Sequence, residues 1–241
     1  MLVLENLTKS YQRGAVKAVD GLNLRVEAGE IFGFLGPNGA GKTTTIKMIV
    51  GLLNPDAGRV LVRGLEMVKN PLAVKRLIGY VPDQPDLYDR LTGWEYLNFI
   101  ADVYGVSAAE RRRRLGELLG PLEMESAVKD LIQSYSHGMK QKLALIAALI
   151  HAPDLWVLDE PMVGLDPKSA HLFKDLLRRH CAEGKAVFFS THILEVAERL
   201  CDRVGIIKSG RLVACGTMPE LRALRGEGQG TLENIFLELT E

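Results

Sequence analysis

The strongest constraint on this chain is the run from Ile31 to Thr43, in which the apolar segment Ile31-Phe32-Gly33-Phe34-Leu35 feeds a glycine-rich loop ending in Lys42-Thr43. The apolar run reads as a buried strand, and the residues from about Lys42 read as a helix with Ile46, Ile49 and Val50 on one face. Strand, loop and helix in that order are the context this motif requires. A loop rich in glycine lets backbone N–H groups converge on phosphate oxygens, and the helix behind it adds the positive end of its dipole. Gly36, Pro37, Asn38, Gly39, Ala40 and Gly41 are therefore expected to cradle the phosphates of ATP. Lys42 is expected to bridge the β- and γ-phosphates, Thr43 to place its hydroxyl on Mg2+, and Thr44 to lie near the α-phosphate by analogy with similar loops. A fortuitous glycine turn is the competing reading, and the flanking strand and helix count against it.

A second segment supplies acid groups. In Leu155-Trp156-Val157-Leu158-Asp159-Glu160, four apolar residues of a buried strand are followed by two carboxylates. They emerge at the carboxyl end of the strand, where ligands of open α/β sheets bind. Asp159 can hold magnesium directly or through water, and Glu160 can polarise an attacking water. Acidic residues commonly end strands, so this pair acquires meaning from its companionship with the phosphate loop.

The rest of the chain agrees with one α/β domain. Its 241 residues are enough to bury a core without disulfide staples. Strand patterns through Leu22, Leu24 and Val26, the Asn54-Pro55-Asp56-Ala57-Gly58 turn, a strand at 59–63, a helix at 71–77 and a strand at 78–81 lead to a stretch without strand signals. From about Asp83 to Ile150 helical patterns run over 94–103, 108–119 and 138–150, which reads as an inserted helical lobe. Strands at 155–158, 186–190 and 203–207 then alternate with helices, with a further edge strand at 211–215, and such alternation predicts a mainly parallel sheet covered by helices. The expected organisation is a core of 1–82 and 151–215 with N-terminal antiparallel β strands, a helical subdomain at 83–150, and a helical tail at 216–241 interrupted at Gly226-Glu227-Gly228-Gln229-Gly230.

Thirty basic and thirty acidic residues cancel, so no global field draws nucleic acid or an anionic membrane surface. Cys181, Cys201 and Cys215 have neither C-x-x-C nor zinc spacing and read as small buried hydrophobes in a reducing compartment. The N-terminus lacks a secretory signal pattern, and the longest apolar run, Leu143 to Ile150, is far short of the ~20 residues of a membrane span. The expected location is the cytoplasm, with any work at a membrane requiring a separate membrane-embedded subunit.

With the loop and the two carboxylates in place, the chain resembles the nucleotide-binding subunit of ATP-binding cassette transporters over essentially its whole length. Tyr135-Ser136-His137-Gly138-Met139-Lys140-Gln141 resembles the family signature, Gly164-Leu165-Asp166 its D-loop, and Thr191-His192 its switch histidine, all in the family's order. The resemblance implies that two cassettes close head to tail on two ATP molecules, with Ser136 and Gly138 of one meeting the γ-phosphate on the loop of the other. Ser136 and the Gly138 amide precede a helix expected near Met139, a second helix-terminus anion site, although Ser-x-Gly before a helix is also simply a helix start. The resemblance makes Glu160 the general base, His192 a γ-phosphate contact, Asp166 a link between the two sites as well as an N-cap, and Tyr11 the ring that stacks on adenine.

The sequence also departs from the family. Asp83 stands where a glutamine normally touches magnesium, with Gln84 directly after it, so either the loop shifts by one residue or a carboxylate replaces the amide. Tyr135, His137 and Met139 replace the usual leucine, glycine and glutamine of the signature, and His137 adds an imidazole that can act as a pH-sensitive donor. Arg111-Arg112-Arg113-Arg114 reads as a solvated helix face, and Leu87, Tyr88, Leu91 and Trp94 as either a seat for a membrane subunit's helix or core.

The expected function is the ATP-hydrolysing subunit of a transporter, acting with a second cassette, identical or paralogous, and with separate transmembrane permease subunits. The tail at 232–239 resembles that of drug, polysaccharide or polypeptide exporters, which favours export. The alternative is a soluble cassette ATPase acting on nucleic acid, ribosomes or cluster assembly; a P-loop kinase is a more distant rival, disfavoured by the signature segment and His192.

Overall fold

Alternating apolar residues assemble an N-terminal ribbon. In the computed structural model, which describes residues 1–14, 16–162, 165–223 and 231–240, β1 (Leu2–Tyr11) buries Leu2, Leu4 and Leu7. It pairs antiparallel with β2 (Val16–Val26), Leu2 facing Val26 and Tyr11 facing Val16. The chain then enters β3 (Ile31–Leu35), buried at every position, and α1 (Lys42–Ile49). β4 (Ala57–Val62) returns to the other side of β1 and carries the short β5 (Leu65–Glu66), completing a four-stranded sheet ordered β2-β1-β4-β5.

After α2 (Pro71–Arg76) and β6 (Ile78–Val81), the next 73 residues are helical in character. α3 (Gly93–Val103) opens with a capping box in which Thr92 and Glu95 satisfy each other's backbone N–H. α4 (Ala108–Leu119) is capped by Ser107, and α5 (His137–Leu149) by Ser136. α5 therefore starts two residues before the expected Met139, because the Ser136 hydroxyl accepts from the Met139 N–H and so places His137 and Gly138 inside the first turn. Among the described residues of this interval the only β feature is an isolated bridge between Thr92 and Leu131.

The chain returns to the core as β7 (Leu155–Asp159), α6 (Pro167–Ala182), β8 (Ala186–Thr191), α7 (Leu194–Leu200), β9 (Arg203–Lys208) and β10 (Arg211–Gly216). α8 (Met218–Ala223) and α9 (Leu232–Thr240) follow; the expected break at 226–230 lies outside the described residues. The main sheet is ordered β10-β9-β3-β8-β7-β6, parallel throughout except for β10, which is the edge strand its sequence predicts and pairs antiparallel with β9. The expected P-loop α/β fold, with N-terminal antiparallel strands and inserted helices, is the observed one.

Aromatic packing locks the sheet. Phe188 on β8 lies 5.9 Å from Phe32 and 5.3 Å from Phe34 on β3, and Trp156 on β7 meets Phe173 of α6 edge-on at 5.6 Å. The arginine run is not the solvated face its sequence suggests. Arg111 reaches Asn98 and Asp102 of α3, and Arg114 donates to the Ile150 carbonyl at 2.7 Å while holding Glu110; only Arg112 and Arg113 face outward. Of the apolar quartet, Leu87 is buried and Leu91 packs on the core, whereas Tyr88 and Trp94 are exposed. Cys181 is buried and Cys201 and Cys215 are half-buried, all free thiols, and no helix among the described residues is long and apolar enough to cross a membrane.

Two histidines are held neutral inside this fold. His180 is 6% exposed on α6, and His151 stacks on Tyr104 at 3.7 Å while its Nε2–H donates to the Ile78 carbonyl at 3.1 Å. Burial pulls both down to about 4. The unfolded chain, with histidine near its ordinary value of about 6.5, binds more protons below that pH, so the stability these residues contribute is complete above it and is lost as pH falls toward 4. Urea midpoints measured from pH 7.5 to 4.5 should fall by an amount equivalent to up to about 3 kcal/mol per histidine, and His180→Phe should flatten the slope. An unchanged slope would remove His180 from this role.

Candidate nucleotide site

The parallel register brings the chemistry to the carboxyl ends of three neighbouring central strands. β3 ends at Leu35 beside Thr191 of β8, and β8 places Ser190 beside Asp159 of β7. The phosphate loop, the two carboxylates and the histidine segment therefore leave the sheet at neighbouring points.

The loop between β3 and α1 is shaped by close approaches. A Cβ on Gly36 would sit 2.5 Å from the Ile207 carbonyl oxygen. Gly41 has φ +110 and lies against the Ala18 carbonyl, so both its conformation and its surroundings exclude a side chain. Within the loop Ala40 N–H donates to the Pro37 carbonyl at 3.1 Å, while the Ala40 carbonyl accepts from Gly210 at 2.9 Å. Ala40 and Gly36 are buried and do not line the cavity at the loop; Asn38, Gly39 and Thr43 are exposed. Pro37, Asn38, Gly39, Gly41, Lys42, Thr43 and Thr44 line a cavity of about 190 Å3 together with Ala18 from β2. Lys42 Nζ donates to the Gly36 carbonyl at 2.6 Å; burial pulls its pKa down, and the charges of Glu160 and Asp159 push the other way. Those two carboxylates are thus close enough to be felt at the loop lysine.

Asp159 is 3% exposed, and its Oδ1 accepts from Ser190 Oγ at 2.5 Å. Glu160 adopts a left-handed backbone, φ 48, that non-glycine residues rarely occupy, and its N–H donates to the Ser190 carbonyl at 3.2 Å. The turn aims its side chain at the next loop, where Oε2 lies 3.0 Å from His192 Nδ1 and accepts from the His192 backbone N–H at 3.3 Å. Ser190 is the residue sequence reading missed. Its place just before Thr191-His192 is visible in the sequence, but its bond to a carboxylate 31 residues away depends on strand register.

Other expected residues lie apart from the cavity. Ser136 is exposed and caps α5, with Gly138 half-buried in the first turn, and neither lines the loop cavity. Asp166 caps α6, accepting from Ser169 N–H at 2.9 Å, which with the Ser169 hydroxyl holds its carboxyl down at about 2; Gly164 lies outside the described residues. Tyr11 ends β1 at 43% exposure, on the hairpin whose second strand brings Ala18 to the cavity. Asp83 and Gln84 are both exposed after β6; Tyr80 is pushed up to about 12 by burial and then by the charges of Asp159 and Asp83. Tyr135 explains its own departure from the signature: its ring is buried and its hydroxyl donates to the Ala127 carbonyl at 2.5 Å against Gly93, where no Cβ would fit.

Residues 19–163 match the protein family described as ABC transporter. The chain belongs to that family. The cassette is 40% identical over 221 residues to the linearmycin resistance ATP-binding protein LnrL of Bacillus subtilis (strain 168), covering 92% of this chain and 70% of LnrL. It is 36% identical over 241 residues to the ABC-type transporter ATP-binding protein EcsA of the same organism, covering 100% of this chain and 97% of EcsA. A solved ATP-binding subunit of an ABC transporter superposes with a TM-score of 0.96 at 36% identity, over 100% of both chains. The cassette is an ATP-binding and ATP-hydrolysing subunit of an ABC transporter.

Ser190→Ala removes a hydrogen bond to a buried carboxylate and the 3.3 Å contact of the hydroxyl with the Glu160 N–H, while the Ser190 carbonyl still accepts that N–H. It should cost about 1.5–3 kcal/mol of folding stability in chemical denaturation. A loss below experimental error would show that Asp159 does not depend on Ser190.

Proposed function

We propose that two cassettes, identical or paralogous, close on two ATP molecules and so drive separate transmembrane permease subunits, with this chain on the cytoplasmic face of the membrane. The observation that carries the reading is the convergence of Lys42, Asp159, Glu160 and His192 at the carboxyl ends of the central strands. In this reading Gly36 to Gly41 bind the phosphates, Lys42 neutralises the β- and γ-phosphates, and Thr44 lies beside the α-phosphate. Tyr11 stacks on the adenine, and Ser136 and Gly138 complete the partner's site from the first turn of α5. Asp166 links the two sites. The core is 1–82 and 151–215, the helical subdomain 83–150, and the tail 216–241.

The residues present fit magnesium: Thr43 lines the loop cavity, and Asp159 is a buried carboxylate whose Oδ1 is already oriented by Ser190. Thr43 and Asp159 would hold Mg2+, with Asp83 or Gln84 as a further ligand, and the ion would supply charge neutralisation of the phosphates. Glu160 takes the proton of the attacking water, and His192, whose ring nitrogen meets Glu160 Oε2, keeps that carboxylate turned toward the γ-phosphate. The strained backbone at Glu160 serves this aim, because a regular strand continuation would point its side chain elsewhere.

Export is the favoured direction. One solved relative, 28% identical with a TM-score of 0.81 and covering 90% of this chain and 99% of its own, is a dimeric post-hydrolysis cassette bound to ADP and Pi, which supports closure in pairs. The resistance function in the name of LnrL supports export.

Glu160→Gln keeps the shape of the base and removes its proton affinity. The variant should bind ATP with unchanged affinity, hydrolyse it at least about a hundredfold more slowly, and accumulate an ATP-dependent dimer in analytical ultracentrifugation. Hydrolysis at the parent rate would remove Glu160 as the base.

A further inference from the structure

The helix that carries Ser136 and Gly138 is tied by charge to the start of α6. Lys142 on α5 is 8% exposed, where an ammonium without a counter-charge is costly. Its Nζ lies 3.6 Å from Asp166 Oδ2. That carboxylate already caps α6 through the Ser169 N–H and hydroxyl, so Asp166 joins two elements at once.

A second ion pair lies alongside. Lys168, in the first turn of α6, pairs with Glu123. Glu123 sits at φ 57 in the turn that ends α4, where its N–H donates to the Gly120 carbonyl and the Met124 N–H to the Leu119 carbonyl, both at 2.9 Å. The charges of Lys142 and Asp166 are felt at Glu123, and that of Asp166 at Lys168. Two cations and two carboxylates thus form one neutral group spanning α4, α5 and α6.

Its two arms are unlike. The Lys168 and Glu123 side chains are 70% and 48% exposed, so water and salt screen their attraction and it contributes little. The Lys142 side chain is only 11% exposed although that of Asp166 is 54% exposed, so the arms differ at the cation, an ammonium stripped of most of its water that depends on the nearby counter-charge. Loss of Lys142 leaves the Ser169 bonds to Asp166 intact, so α6 stays capped while its aspartate loses its hold on α5.

We propose that Lys142 is a positioning residue that fixes Asp166 to α5, so that the Ser136-Gly138 turn and Asp166 move as one body when two cassettes close. The inference rests on the paired-closure reading above, and Lys142 itself does not line the loop cavity.

The test uses the full chain in the Glu160→Gln background, with ATP-dependent dimerisation read by analytical ultracentrifugation and monomer binding read with a fluorescent ATP analogue. Adding Lys142→Met should raise the dimer dissociation constant by about tenfold while monomer affinity stays within about twofold. Asp166→Asn, which keeps an N-cap acceptor but removes the charge, should do the same even if Lys142→Met folds poorly. Lys142→Arg should recover most of the lost affinity, and Glu123→Gln should change it by less than about twofold. Dimerisation of the Lys142→Met and Asp166→Asn proteins at the parent level would overturn the inference alone. A Glu160→Gln parent that never dimerises would overturn the paired-closure reading and this inference with it.

Discussion

The in-register parallel pairing of β3, β8 and β7 is the constraint on which the site depends. Leu35 ends opposite Thr191, and Ser190 lies opposite Asp159, so three loops leave the sheet together. A slip of one residue would exchange the faces of every side chain on the shifted strand, moving Ser190 away from Asp159. The slip is opposed by Phe188 packed against Phe32 and Phe34, and by Trp156 against Phe173, all fully or nearly fully buried. Core packing and site geometry are therefore one specification: the aromatic contacts that bury area also place a carboxylate within 2.5 Å of its serine.

That rigid frame makes the backbone of Glu160 tenable. A left-handed non-glycine residue is unfavourable in isolation, and it persists only where surrounding bonds over-determine it. Here Ser190 accepts the Glu160 N–H, and His192 engages the carboxylate through both its ring and its own N–H. Two adjacent carboxylates consequently take different directions from one strand end. Asp159 stays buried against Ser190, and Glu160 turns toward the histidine loop.

Much of this was legible in the sequence, because local period and loop chemistry are short-range signals. The strand before Gly36, the helix from Lys42, the strand into Asp159 and the edge strand from Arg211 all stand where apolar spacing and glycine turns put them. The start of α5 was displaced because an N-cap declares itself by a hydrogen bond to the third residue onward, and a helical pattern alone does not show which serine makes it. The arginine run differs from its sequence pattern for another reason. Charge runs read as solvated faces when their partners are distant in sequence, and the partners of Arg111 and Arg114 are Asn98, Asp102 and the Ile150 carbonyl on neighbouring elements. Ser190 and Lys142 carry no mark in the sequence, since each is paired with a carboxylate that only the tertiary fold brings near.

The replacements in the signature segment separate two kinds of requirement. At Tyr135 the demand is for volume, met by a buried ring whose hydroxyl finds the Ala127 carbonyl, and the neighbouring element answers with a glycine at position 93. At Ser136 and Gly138 the demand is for a hydroxyl and an unobstructed backbone at a helix start, and these residue types are kept. A packing position tolerates a larger side chain when its neighbour yields space, whereas a position defined by donors at a helix terminus has no compensating partner within the same chain. The segment therefore departs from the usual letters at the buried Tyr135 and at the exposed His137 while keeping the serine that caps the helix start.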